Sequence, residues 1–132
     1  MTALERSEMQ HHVEIGARML ASARSPVLRL AGEIACSHHE RWDGAGYLRG
    51  LAGDLIPISG RITAVADVYD ALTHERPYKS AWDPAAAVAE VSAQSGKHFD
   101  PAVVSAFLAI DLNTIAALAC AEPANSDSIS CR

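Results

Sequence analysis

Three histidines and one aspartate have the types and spacing that could do chemistry. His12 falls on an apolar stripe with Met9, Gly16, Met19 and Leu20. His38 closes a second stripe of Val27, Ala31, Ile34 and Ala35, and His39 follows it directly. Both stripes repeat at three and four residues, which puts each imidazole on the apolar side of a helix. Asp67 lies within the apolar stretch from Ile62 to Val68. An ionised carboxylate there is costly unless it is paired or binds a cation. A single such histidine reads as a satisfied structural residue. Three imidazoles and a carboxylate, brought by three helices to one core, read as a metal site. Mixed His/Asp ligation suits first-row transition ions and hydrolysis better than structural zinc, which usually takes cysteine.

The elements that must position these residues all read as helix. Thr2 to Glu5 has capping-box spacing and opens a first helix. Ser25-Pro26 is an N-cap followed by proline at the first helical position, and opens a second. A third is expected over 58–72, with Ile62, Val65, Ala66, Tyr69 and Leu72 facing inward. Asp83-Pro84 and Asp100-Pro101 are cap-then-proline starts for helices over 84–95 and 101–112, and Gly96 is a natural stop for the former. No segment alternates with period two, so the expected fold is all-α, a bundle of about five helices.

Residues 39–57 form a long loop between the second and third helices, with Gly44, Gly46, Gly50 and Gly53 in it and Pro57 at its end. The glycine spacing is not that of a phosphate-binding loop, so tight turning is their expected use. Trp42, Tyr47, Leu51 and Ile56 need surfaces to pack on, which argues for an ordered loop. Thr73 to Ala81 reads as a turn, and 122–132 as a disordered tail.

Composition narrows the function classes. The chain has 132 residues, enough for one domain, and 49% are hydrophobic but only 5% aromatic, so the core is aliphatic. A formal charge of −5 argues against non-specific binding to nucleic-acid backbone, which requires a positive surface. Cys36, Cys120 and Cys131 are odd in number and lack metal or redox spacing, which fits reduced thiols. The polar N-terminus does not look like a signal peptide, and no apolar run approaches the roughly 20 residues of a membrane span. The expected location is the cytoplasm.

The string from His38 to Leu51, HHERWDGAGYLRGL, resembles the HD-GYP signature HHE-x-x-DG-x-GYP-x-GL. The likeness extends to His12-Val13-Glu14-Ile15-Gly16, to Arg61-Ile62, and to Ala66-Asp67-Val68-Tyr69-Asp70-Ala71-Leu72. Arg76-Pro77-Tyr78-Lys79 and Gly96-Lys97-His98-Phe99-Asp100-Pro101 continue it, so that it covers about residues 3–110. The resemblance implies an HD-domain-like bundle and a metal-dependent phosphodiesterase that opens cyclic di-GMP to linear pGpG or GMP. It implies His12, His38, His39 and Asp67 as metal ligands, within a centre of two or more ions when the domain is intact. Iron, manganese, zinc and nickel all suit that donor set. It further implies Arg76 and Lys79 at the ligand phosphates, with Asp70 supporting that pocket or touching ligand. Through Gly46, Tyr47 and Leu48 it implies a partner surface, GGDEF-type domains included. His74 and His98 match no ligand position and read as structural or surface residues.

Two departures accompany the likeness. Leu48 stands where the family has proline, which removes a fixed φ and should change the rigidity of the loop. No His-Asp dipeptide occurs in the 132 residues. In the family that pair precedes the helix carrying His12, so the catalytic set is expected to be incomplete and residues 1–112 to be a partial HD-GYP domain, with 113–132 a helix end and tail. A lone three-histidine site could still hold one divalent ion. Two readings follow: a shortened phosphodiesterase, or a non-catalytic module that binds metal, nucleotide or a partner domain. An apolar face left uncovered would favour a homodimer.

Overall fold

The computed structural model describes residues 25–75 and 80–111, together with Ile15 and Leu20. His12, the turn from Arg76 to Lys79 and the expected tail lie outside the described residues. Within them the regular elements are α1 (Pro26–Ser37), one 3-10 turn (Gly53–Leu55), α2 (Ile58–Thr73), α3 (Pro84–Ala93) and α4 (Pro101–Leu108). The architecture is all-α, as the sequence implies, and the described residues contain no strand.

The helix starts follow the local chemistry. Proline stands at the first turn of α1, α3 and α4. The Asp83 carboxylate accepts the amides of Ala85 and Ala86, at 3.1 and 3.3 Å. The Asp100 carboxylate accepts the amide of Ala102 at 2.8 Å. These bonds satisfy amides that the first helical turn leaves without partners. Ser25 makes no side-chain cap bond, so proline alone marks the start of α1. α3 stops at Ala93, and Gly96 beyond it adopts φ 74°. α4 ends at Leu108, short of the expected 112.

α2 is the central helix and packs on α1, α3 and α4. The core joins Ala64, Val65, Val91, Phe99 and Val104. It is aliphatic around one buried aromatic ring, as the composition requires. α1 approaches α2 closely at Gly60, where a Cβ would collide with the Ser37 side chain.

Two expected inward stripes are only partly inward. Val27 is 73% exposed, while Ala31, Ile34 and Ala35 are half-buried. On α2, Val65 and Leu72 are buried and Tyr69 is half-buried, but Ile62 is 53% exposed and Ala66 is also exposed. Ile62 and Ala66 line an apolar groove of about 670 Å³ between α2 and α4, which also takes in Phe107 and Ile110. The periodicity marks these positions as apolar, but α2 meets its neighbours over a narrower arc than the stripe spans.

Candidate functional site

α1 delivers two adjacent imidazoles at its C-terminal end. The His38 amide donates to the Ile34 carbonyl at 2.9 Å, and the His38 ring Nδ1 lies 2.9 Å from the same oxygen. A carbonyl only accepts, so Nδ1 carries the proton in that bond. Nε2 of the neutral ring then keeps its lone pair, which is the arrangement that orients metal-bound histidines. The His39 ring lies 3.9 Å from that of His38, centroid to centroid. On its other side Tyr47 stacks at 4.8 Å with 24° between the planes. Both histidines are half-buried.

Asp67, from α2, faces the same neighbourhood. Burial raises the Tyr47 phenol above its ordinary pKa, and the negative charge of Asp67 raises it further. Asp67 itself is exposed, and it makes no hydrogen bond or ion pair with another described residue. The expectation of a costly buried carboxylate is therefore corrected. Its apolar neighbours in sequence face other sides of the helix, so Asp67 needs no compensating charge to fold. The donor types of His38, His39 and Asp67 suit a divalent transition ion. Among the described residues, however, no three His, Cys, Asp or Glu side chains converge as a metal-holding group.

The loop from Glu40 to Pro57 is ordered, and several bonds explain why. Glu40 is 2% exposed, and its carboxylate accepts the amides of Arg49 at 2.8 Å and Leu51 at 3.0 Å. Gly46 lies against the Glu40–Arg41 backbone so tightly that a Cβ would stand 2.5 Å from the Arg41 nitrogen. Close approach, not turning, requires that glycine. Gly44, Gly50 and Gly53 do turn with positive φ, as expected. Leu48 also has positive φ, 111°, which proline cannot adopt. The loop backbone here is thus one that the family's proline would forbid.

The far side of the loop is fastened to the α3–α4 connection. Trp42 donates its amide to the His98 carbonyl at 3.0 Å, and Asp43 donates to that of Lys97 at 2.9 Å. Arg61 sits 5.8 Å from the Trp42 ring centroid and pairs with buried Asp100 at 2.8 Å and with Asp54 at 3.0 Å. Arg41 bonds Asp43 and, with the Ala45 amide, holds the Asp43 carboxyl down to about 2. His98 stacks on Phe99 at 4.3 Å, and burial pushes its imidazole below the ordinary value. The structural reading of His98 holds.

Asp70 lines the α2/α4 groove and forms an exposed pair with His74 at 3.0 Å. Arg76 and Lys79 are outside the described residues, as is His12. From the nominated set the structure brings His38, His39 and Tyr47 into contact, and Asp67 reaches them only through its charge on Tyr47. Sequence reasoning passed over Glu40 and Arg61 as anchors, gave Trp42 an unspecified packing surface, and gave Asp100 only its capping role. The available signal was an acid opening a glycine-rich loop, and an arginine directly before an apolar helical stretch.

A family profile described as HD domain matches residues 1–103. The chain is 49% identical over 111 residues to a cyclic di-GMP phosphodiesterase of Thermotoga maritima, covering 84% of this chain and 30% of that protein. It is 49% identical over 121 residues to a cyclic di-GMP phosphodiesterase of Vibrio cholerae, covering 88% and 25%. It is 48% identical over 108 residues to a 3'3'-cGAMP-specific phosphodiesterase of Vibrio cholerae, covering 82% and 21%. The chain thus spans a third or less of the length of each of these relatives. No helix among the described residues is long and apolar enough to cross a membrane.

Proposed function

Because this chain belongs to the HD-domain family, we propose that it is part of a metal-dependent phosphodiesterase that hydrolyses cyclic di-GMP to pGpG or GMP. One observation supports the reading: His38, with Nδ1 held by the Ile34 carbonyl, lies ring to ring with His39, whose Tyr47 neighbour feels the charge of Asp67 from α2. His12, His38 and His39 are the proposed ligands of one divalent ion, and Asp67 that of a second. A bound pair of such ions supplies an activated water and polarises the phosphodiester. The Tyr47 phenol, raised above its ordinary value, stays protonated at neutral pH and can donate a hydrogen bond. Arg76 and Lys79 are proposed to take the phosphates, with Asp70 beside them. The metal is iron, manganese, zinc or nickel.

Residues 1–112 are the proposed domain portion, followed by a tail. Gly46, Tyr47 and Leu48 are proposed to face partner domains of GGDEF type. A second copy of the chain is proposed to cover the apolar α2/α4 groove as a homodimer, since Ile58, Ile62 and Ile110 are all about half-exposed there.

A second reading has its own support. The sequence contains no His-Asp dipeptide, and the described residues gather no three-donor group. A non-catalytic module that binds metal, nucleotide or a partner is consistent with both. Anaerobic incubation with Mn²⁺ or Fe²⁺ and either cyclic di-GMP or 3'3'-cGAMP, with products resolved by chromatography, separates the two readings. Turnover that vanishes in His38→Ala and Asp67→Ala supports the enzyme. Turnover only in a longer chain carrying a His-Asp pair ahead of Met1 supports a partial catalytic domain. No turnover in either form supports the binding module.

A further inference from the structure

Glu40 is a buried carboxylate with no part in the proposed chemistry, yet both of its oxygens are engaged by the loop. Charge-assisted bonds to backbone amides are the strong kind, and here they fasten positions nine and eleven residues further along. They close a lariat whose inner turn contains Gly46 and Tyr47. Gly46 has no room for a Cβ above the Glu40–Arg41 backbone, so the turn seats at one depth. Tyr47 donates its amide to the His39 carbonyl at 3.4 Å and lays its ring on the imidazole. Leu48 follows at φ 111°, a backbone cost that persists only when surrounding contacts enforce it.

We propose that Glu40 and Tyr47 are positioning residues: the Glu40 carboxylate ties down the loop, and the Tyr47 ring thereby fixes the plane of the His39 imidazole for metal binding. This rests on the reading of His39 as a ligand. The ring of Tyr47 matters here, not its hydroxyl, because the contact is a stack. Groups that orient a metal-bound histidine are typically worth about ten- to a hundred-fold in metal affinity.

The test is a Co²⁺ titration of the whole chain followed by its visible absorption bands, with far-UV circular dichroism to show that each variant is folded. Tyr47→Phe should bind like the parent. Tyr47→Leu and Glu40→Gln should each weaken Co²⁺ by about ten-fold and alter the band shape. The double variant should be little weaker than either single one, because both act along one path. Tyr47→Leu is the safeguard, since Tyr47 is only half-buried and its loss leaves the core intact. Parent-like titration of Tyr47→Leu would overturn the inference while leaving the metal site standing. Equal weakening by Tyr47→Phe would also overturn it, by assigning the effect to the hydroxyl. Failure of the parent chain to bind Co²⁺ would remove the metal reading, and this inference with it.

Discussion

The loop between α1 and α2 is held in opposite ways at its two sides. On the side of His98 the charges are paired: Asp100 is 4% exposed, caps α4 and pairs with Arg61, which also touches Trp42 and Asp54. On the side of His39 the two imidazoles are half-buried, and exposed Asp67 has no hydrogen-bond or ion-pair partner among the described residues. The first arrangement stabilises; the second leaves the Asp67 carboxylate at the surface. Asp100 is thus bonded into the fold, whereas Asp67 lies exposed on α2.

The largest expected effect comes from that contrast. Asp100→Ala should lower unfolding free energy by about 3 kcal/mol, because it leaves a largely buried guanidinium with only exposed Asp54. Asp67→Ala should stay within about 0.5 kcal/mol in the same denaturant titration. It should nevertheless abolish any metal-dependent hydrolysis of cyclic di-GMP that the parent chain shows. Equal stability losses at the two positions would break the comparison.

Within the loop, Gly46 and Gly50 separate steric from conformational demands. Gly46→Ala should cost about 2 kcal/mol, since the new Cβ meets rigid backbone on every side. Gly50→Ala has open space and should cost about 1 kcal/mol, from its φ of 65° alone. Leu48→Gly should then gain about 1 kcal/mol by relieving φ 111°. Leu48→Pro should instead destabilise, with faster hydrogen exchange at Arg49 and Leu51. Thermal unfolding ranks all four.

The smallest effects are in pH dependence. His98 has a folded value below its ordinary 6.5, so the unfolded chain binds more protons just below that pH. Stability should be full above 6.5 and decline as pH falls beneath it, and His98→Gln should flatten that slope. Asp43 behaves as a depressed carboxyl: its contribution is present above 3.8 and lost as pH falls toward about 2. Midpoints of urea unfolding across pH 2–8 would read both windows.

The helix starts were legible because their causes are local. A proline fixes φ for its own residue, and the aspartates at 83 and 100 reach amides two or three positions away. The ring-bearing ends of α1 were legible for the same reason. Which apolar residues are covered was not, as Val27, Ile62 and Ala66 show, because periodicity gives a face and not the neighbour that meets it. The burial argument for Asp67 failed on the same ground.

Residue order alone therefore determined an all-α chain, the adjacency of His38 and His39, and a glycine-rich loop after them, since each depends on bonds spanning a few positions. The tertiary structure alone decided that Glu40 holds Arg49 and Leu51, that Tyr47 lies on His39, and that Arg61 spends its charge on Asp100. The first three of those contacts bridge eight to eleven positions and the last thirty-nine. Their energies depend on where the chain returns in space, which no local preference encodes.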